Sequence, residues 1–195
     1  YYITSELADD LVLDVWAASR NDGANVQLWN SNLSAAQKWR VSYDSEGFAT
    51  ITNVASGKVL DAQWGSSRPG TNVTQWSNNG SRAQKWKIVT GDRNIITGGR
   101  RITIVSALNS SIVLDISGAR RSAGANVQLG TANGSGAQSF DFIPTKPSVS
   151  AEGQADIAPG YYSISDVEHH DMIMALADYS LDNGAKVHAW TNYGF

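Results

Sequence analysis

Val12-Leu13-Asp14, followed further on by Gln37-Lys38-Trp39, decides the fold of this chain, because both motifs return. The first comes back as Val59-Leu60-Asp61 and Val113-Leu114-Asp115, the second as Gln84-Lys85-Trp86 and Gln138-Ser139-Phe140. Asp14 stands 23 residues before Gln37, and the same 23 residues separate Asp61 from Gln84 and Asp115 from Gln138. A constant offset with variable filler marks one structural unit copied several times. A glycine follows each Asp by nine residues, at Gly23, Gly70 and Gly124. An Asn-Val pair comes next, at Asn25-Val26, Asn72-Val73 and Asn126-Val127. A fourth copy starts near Gly160, with Ala175 in the place of the Asp. Gly184 lies nine residues after Ala175 and Trp190 lies 15 after it, as Trp29 follows Asp14 and Trp76 follows Asp61. The Gln-x-aromatic motif of this copy would fall beyond Phe195, so three copies are complete and the fourth is cut short.

Composition narrows the class. A chain of 195 residues buries one good core with a piece left over. A net charge of −3, on 17% charged residues, lacks the basic field that nucleic-acid binders present. No run approaches the length of apolar sequence that spans a bilayer. The absence of cysteine excludes disulfides and Cys-based zinc sites. Abundant Gly, Ser, Asn and Trp, with no apolar stripe at helical spacing, is the balance of a turn-rich β protein.

Each copy reads as four short strands, in the first copy Tyr2–Ser5, Leu11–Val15, Val26–Trp29 and Gln37–Val41. Turn-formers separate them at Ala8-Asp9-Asp10, Arg20-Asn21-Asp22-Gly23 and Asn30-Ser31-Asn32. One such unit is too small to hold a core. Three related by a pseudo-threefold axis give twelve strands that close a barrel and remove its edges. Trp39, Trp86 and Phe140 are then core rings, one per copy, and Gln37, Gln84 and Gln138 satisfy local backbone. Residues 144–159, with Pro144, Pro147 and Pro159 among small polar residues, read as a linker between domain 1–143 and the incomplete repeat 160–195. A boundary near 91–101 is the alternative, and it would leave two incomplete halves.

Period-2 alternation places Leu11, Leu13, Val15, Val26 and Leu28 on one face and Asp14, Trp16, Gln27 and Trp29 on the other. An Asp, a Gln and an aromatic ring sharing a face suit a sugar. The carboxylate accepts hydrogen bonds from two vicinal hydroxyls, and the indole stacks on the apolar face of a pyranose.

With the motifs in register, the chain resembles the ricin-type β-trefoil lectin domain, in its bacterial carbohydrate-binding-module form. The resemblance covers residues 1–143 as a full, all-β trefoil and 160–195 as the start of a second. It implies sugar contacts at the Asp and at the aromatic 15 residues later. Carried over, these are Asp14, Gln27 and Trp29 in the first copy, and Asp61 and Trp76 in the second, with Thr74 in the Gln position. The third copy has Asp115 and Gln128, but Gly130 in place of the ring. The fourth has His188 and Trp190, but Ala175 in place of the Asp. Trp16 and Trp64, just past their Asp residues, would add a second wall for a longer glycan. Ala36, Ala83 and Ala137 stand where galactose-binding members often carry Asn, which argues against a galactose site.

The expected activity is glycan binding by a secreted or cell-surface module of a larger protein, without cofactor, metal or catalytic residues. Glu168-His169-His170-Asp171 reads as a solvated turn rather than a metal site. The alternative is a trefoil kept for structure or protein contact, and the three alanines, Gly130 and Ala175 favour it. The incomplete repeat carries exposed strand edges. The natural chain is therefore expected to continue past Phe195 to complete a second trefoil, or the repeat to self-associate.

Overall fold

The computed structural model describes residues 1–93 and 100–145, together with the backbone of two strands, Met172–Leu176 and Val187–Thr191. The first unit, Tyr1–Lys146, is built from twelve strands. The first copy holds β1 (Tyr2–Ser5), β2 (Ala8–Val15), β3 (Val26–Asn30) and β4 (Trp39–Tyr43). The second holds β5 (Ala49–Asn53), β6 (Val59–Ala62), β7 (Val73–Trp76) and β8 (Trp86–Arg93). The third holds β9 (Arg100–Ser106), β10 (Ile112–Ile116), β11 (Ala125–Thr131) and β12 (Phe140–Ile143). Among the described residues, helix is confined to 3-10 turns of three residues each.

The outer strands of each copy form the barrel: β1 pairs β12, β12 pairs β9, β9 pairs β8, β8 pairs β5 and β5 pairs β4. Reciprocal backbone bonds of 2.8 Å between Tyr1 and Trp39 join the last strand to the first and close the ring. The inner strands form three hairpins, β2–β3, β6–β7 and β10–β11. Their registers are equivalent: Asp14 faces Gln27, Asp61 faces Thr74 and Asp115 faces Gln128. This is the β-trefoil that the repeat predicts.

Trp39, Trp86 and Phe140 are fully buried, with Leu13, Leu28, Leu60, Leu114 and Leu129 around them. The Trp39 indole N–H donates to the Leu13 carbonyl at 3.0 Å, and that of Trp86 to the Leu60 carbonyl at 3.2 Å. Phe140 supplies the ring without the donor. The two motifs are thus bonded to each other in the first two copies, and in the third Gln138 Nε2 ties them by donating to Asp115 Oδ2 at 3.0 Å.

The copies are joined to each other as well. Asn25 Nδ2 donates to Asn126 Oδ1, Asn126 to Asn72 and Asn72 to Asn25, each at 2.9 Å. Three side-chain amides thus form a closed ring, one member per copy. Around it, Gly23 N–H donates to the Gln75 carbonyl, Gly70 to Leu129 and Gly124 to Leu28. These glycines have φ of +79°, +85° and +82°, a region that side chains resist. Two of them also carry a neighbouring copy's ring: a Cβ on Gly23 would lie 3.5 Å from Trp76, and one on Gly124 would lie 3.8 Å from Trp29.

Two local expectations are corrected. Gln37 does not open the fourth strand; it ends a 3-10 turn, Ala35–Gln37, and the strand starts at Trp39. The reason is its side chain, which accepts from Asn32 N–H and donates to the Asn30 carbonyl, folding the segment back on itself. Ala8-Asp9-Asp10 is strand rather than turn, because the reversal is made tightly at Glu6-Leu7.

The second unit, Pro147–Phe195, contains β13 (Met172–Leu176) antiparallel to β14 (Val187–Thr191). Ala175 faces His188, the register that Asp14 and Gln27 have in the first copy. The side chains of this repeat, most of the expected linker and the Glu168–Asp171 cluster lie outside the described residues.

Candidate functional site

Two clefts lie over the hairpins. The first, of about 420 Å³, is lined by Asp14, Trp16, Gln27, Trp29, Asn32 and Ala36, among others. The second, of about 360 Å³, is lined by Asp61, Gln63, Trp64, Trp76, Asn79 and Arg82, among others. The structure therefore brings together Asp14, Gln27, Trp29 and Trp16 in one place, and Asp61, Trp76 and Trp64 in another.

The face opposite the core is less open than strand alternation implies. Asp14, Gln27 and Asp61 are on that face but buried. The 3-10 turns Ala35–Gln37 and Arg82–Gln84 pack against the first two hairpins, and Asp14 and Asp61 line the two clefts there. Gln27 Nε2 donates to Asp14 Oδ1 at 3.1 Å. Burial raises the Asp14 carboxyl above its ordinary pKa, while hydrogen bonds from Gln27 and Gln37 pull it back down. Gln84 Nε2 donates to Asp61 Oδ2 at 2.9 Å. Burial raises Asp61 too, opposed by Gln84, and the Asp22 carboxylate adds to the rise. The glutamines expected to serve only backbone thus also hold the Asp residues. Thr74, in the Gln position, is buried, and its hydroxyl has no hydrogen-bond partner among the described residues.

The rings stand above these floors. Trp29 is 42% exposed and Trp76 is 37% exposed, each backed by a glycine turn of another copy. Trp16 and Trp64 sit in the 3-10 turns that follow the Asp strands. Trp64 is 85% exposed, and its φ is +61°. Ala17 and Gly118 hold the equivalent place with the same left-handed backbone, so Trp64 is the one bulky residue of the three. Such a conformation costs an ordinary residue about 1–2 kcal/mol, and so exposed a ring recovers little of it by packing.

The third copy keeps the acid without the ring. Gln128 and Gln138 donate to the two oxygens of Asp115 at 3.1 and 3.0 Å. A Cβ on Gly130 would meet Asp115 Cβ and Cγ at 2.9 Å, so the carboxylate arm fills the stem of the missing ring. Arg82, Asn79, Ser81 and Leu108 in the second cleft, and Asn32 and Ser34 in the first, were not legible as lining residues. The one signal for Arg82 is a charge where the other copies have Ala35 and Gly136. Among the described residues, no group of three or more His, Asp or Glu side chains converges as metal ligands do.

The family profile described as "Ricin-type beta-trefoil lectin domain-like" matches residues 35–130 and, overlapping, 82–190. The chain belongs to that family. A designed threefold-symmetric protein, ThreeFoil, superimposes with a TM-score of 0.66 at 30% identity, over 74% of this chain and 98% of the other. An exo-beta-1,3-galactanase from Clostridium thermocellum gives 0.65 at 26% identity, over 74% of this chain but only 30% of its own. The Rhizoctonia solani agglutinin gives 0.64 at 23% identity, over 74% of this chain and 94% of its own, a likeness of fold. No curated protein matches the chain.

Proposed function

We propose that this trefoil is a carbohydrate-binding module that holds a larger secreted or cell-surface protein on glycan. One observation carries the reading. In two successive copies a buried Asp and a half-exposed Trp, backed by a neighbouring copy, line a single cleft. The carboxylate accepts from two sugar hydroxyls while the indole covers the C–H face of the ring. Family membership supports the same reading, and the small share of the galactanase that the chain covers is consistent with a module attached to a larger protein. A single shallow site holds one sugar weakly, and two sites on one domain raise retention through effective concentration. The ligand class is a glycan or polysaccharide, and the role is binding rather than catalysis.

At the third copy the structural reading is favoured, since Asp115 covers Gly130. Retention of the full chain on a panel of immobilised polysaccharides tests the proposal. Trp29→Ala and Asp14→Ala should each weaken retention, and Trp76→Ala somewhat less, with the cooperative unfolding transition preserved. Full retention by the Trp29→Ala/Trp76→Ala double variant would move the assignment to a structural trefoil.

A further inference from the structure

The two clefts are not chemically alike. The residue that opens the 3-10 turn before each Gln-x-aromatic motif is Ala35 in the first copy, Arg82 in the second and Gly136 in the third. Arg82 lines the second cleft beside Asp61, Trp64 and Trp76. Among the described residues, the lining of the first cleft includes no cationic side chain. The ion pairs among the described residues are Lys58 with Asp22, Lys85 with Asp44 and Arg101 with Glu6, and Arg82 is in none of them. The nearby Lys85 is committed to Asp44 at 2.8 Å and repels Arg82 rather than neutralising it. An unpaired guanidinium at the rim of an aromatic-walled cleft is a receptor for a planar anion, since its fork of N–H donors matches a carboxylate. Trp64, strained and exposed, is the second feature of this cleft that folding alone does not explain.

Resting on the carbohydrate-binding reading, we propose that the second cleft selects a sugar bearing a carboxylate, a uronate or a sialate. Arg82 pairs with the acid, and Trp76 and Trp64 cover the ring. Asp61 takes hydroxyls, and its own charge repels the sugar's acid, which turns that group toward Arg82. The first cleft, with Ala35 in place of Arg82, makes no such distinction.

NMR titration of the full chain, in a Trp29→Ala background that silences the first cleft, reads this directly at millimolar affinity. Methyl glucuronide is compared with methyl glucoside, and sialyllactose with lactose. At least one acidic member should bind about three- to fivefold tighter than its neutral partner, the range of an exposed ion pair. The ratio should shrink in about 0.5 M salt. Arg82→Gln should bring it to about one, and Arg82→Lys should keep part of it. The pair that shows the effect identifies the acid. Ratios near one for both pairs, or a ratio that Arg82→Gln leaves in place, overturn the inference. If neutral sugars then still bind, and Trp76→Ala abolishes that binding, the carbohydrate reading stands without it. Failure of every sugar and every immobilised glycan to bind overturns both.

Discussion

Replacing Asn72 with alanine should be among the most damaging single changes outside the hydrophobic core. Asn72 donates to Asn25 and accepts from Asn126, so its removal breaks two of the three bonds of the ring. Each such bond is worth about 1 kcal/mol net, and the groups left behind are only partly shielded from water, so the loss should be about 2–3 kcal/mol. For a unit of this size that lowers the melting temperature by roughly 8 °C. The ring geometry makes a sharper demand. A second change, Asn25→Ala, has only the Asn25–Asn126 bond left to remove. Two single variants lose two bonds each while the double variant loses three, so the double should fall short of additivity by about 1 kcal/mol. Urea unfolding of the wild type, both singles and the double supplies all four corners of the cycle. Strict additivity, or an Asn72→Ala loss below about 0.5 kcal/mol, would refute the idea that the three amides act as one ring.

Leu33 holds a φ of +60° at 67% exposure, where the other copies have Gly80 and Gly134 at +70° and +69°. Leu33→Gly should therefore raise stability by up to about 1 kcal/mol, the strain relieved less the extra freedom of glycine in the unfolded chain; a lower urea midpoint would contradict this. Gly130→Trp should not create a third site, because its Cβ would collide with Asp115. A loss of about 1–3 kcal/mol with no gain in glycan retention is expected. Asp14 and Asp61 must be ionised to accept two hydroxyls, and their pKa values are raised by burial. Glycan retention should thus fall on acidification while ordinary surface carboxylates are still charged. The same two groups favour the folded state more as pH falls through their raised pKa values, since the folded form then binds more protons. Asp22 and Asp44, lowered chiefly by hydrogen bonds from Lys58 and Lys85, act in reverse and lose their contribution as pH falls through the lowered values. Retention and thermal unfolding measured across the acidic range separate the two trends.

The trefoil was legible because its two motifs bond to each other, so a fixed offset in sequence is a fixed contact in space. The candidate clefts were legible for a related reason: Asp14, Gln27 and Trp29 occupy one hairpin, where period 2 and register determine who faces whom. What crosses between copies was not. Asn25, Asn72 and Asn126 recur visibly, but only the threefold axis brings them together, and no spacing says which amide donates. The pairing of Trp76 with Gly23 and of Trp29 with Gly124 was hidden in the same way. Alternation also misjudged depth. It puts Asp14 opposite the core but does not report the turn at Ala35–Gln37 that packs against its hairpin. Arg82 and the left-handed backbone of Trp64 needed the second cleft itself to be seen as neighbours.

The packing of each stacking ring on another copy's glycine bears on the order in which the protein matures. The support for Trp76 lies in the first copy, at Gly23, and is already made when that tryptophan is synthesised. The support for Trp29 lies in the third copy, at Gly124, and emerges from the ribosome long after the ring it must back. The first cleft, whose residues are nearly all encoded early, is therefore the last to be finished. A nascent chain halted after its second repeat would carry Trp29 without its backing, leaving an indole face open to solvent and to the wrong partners.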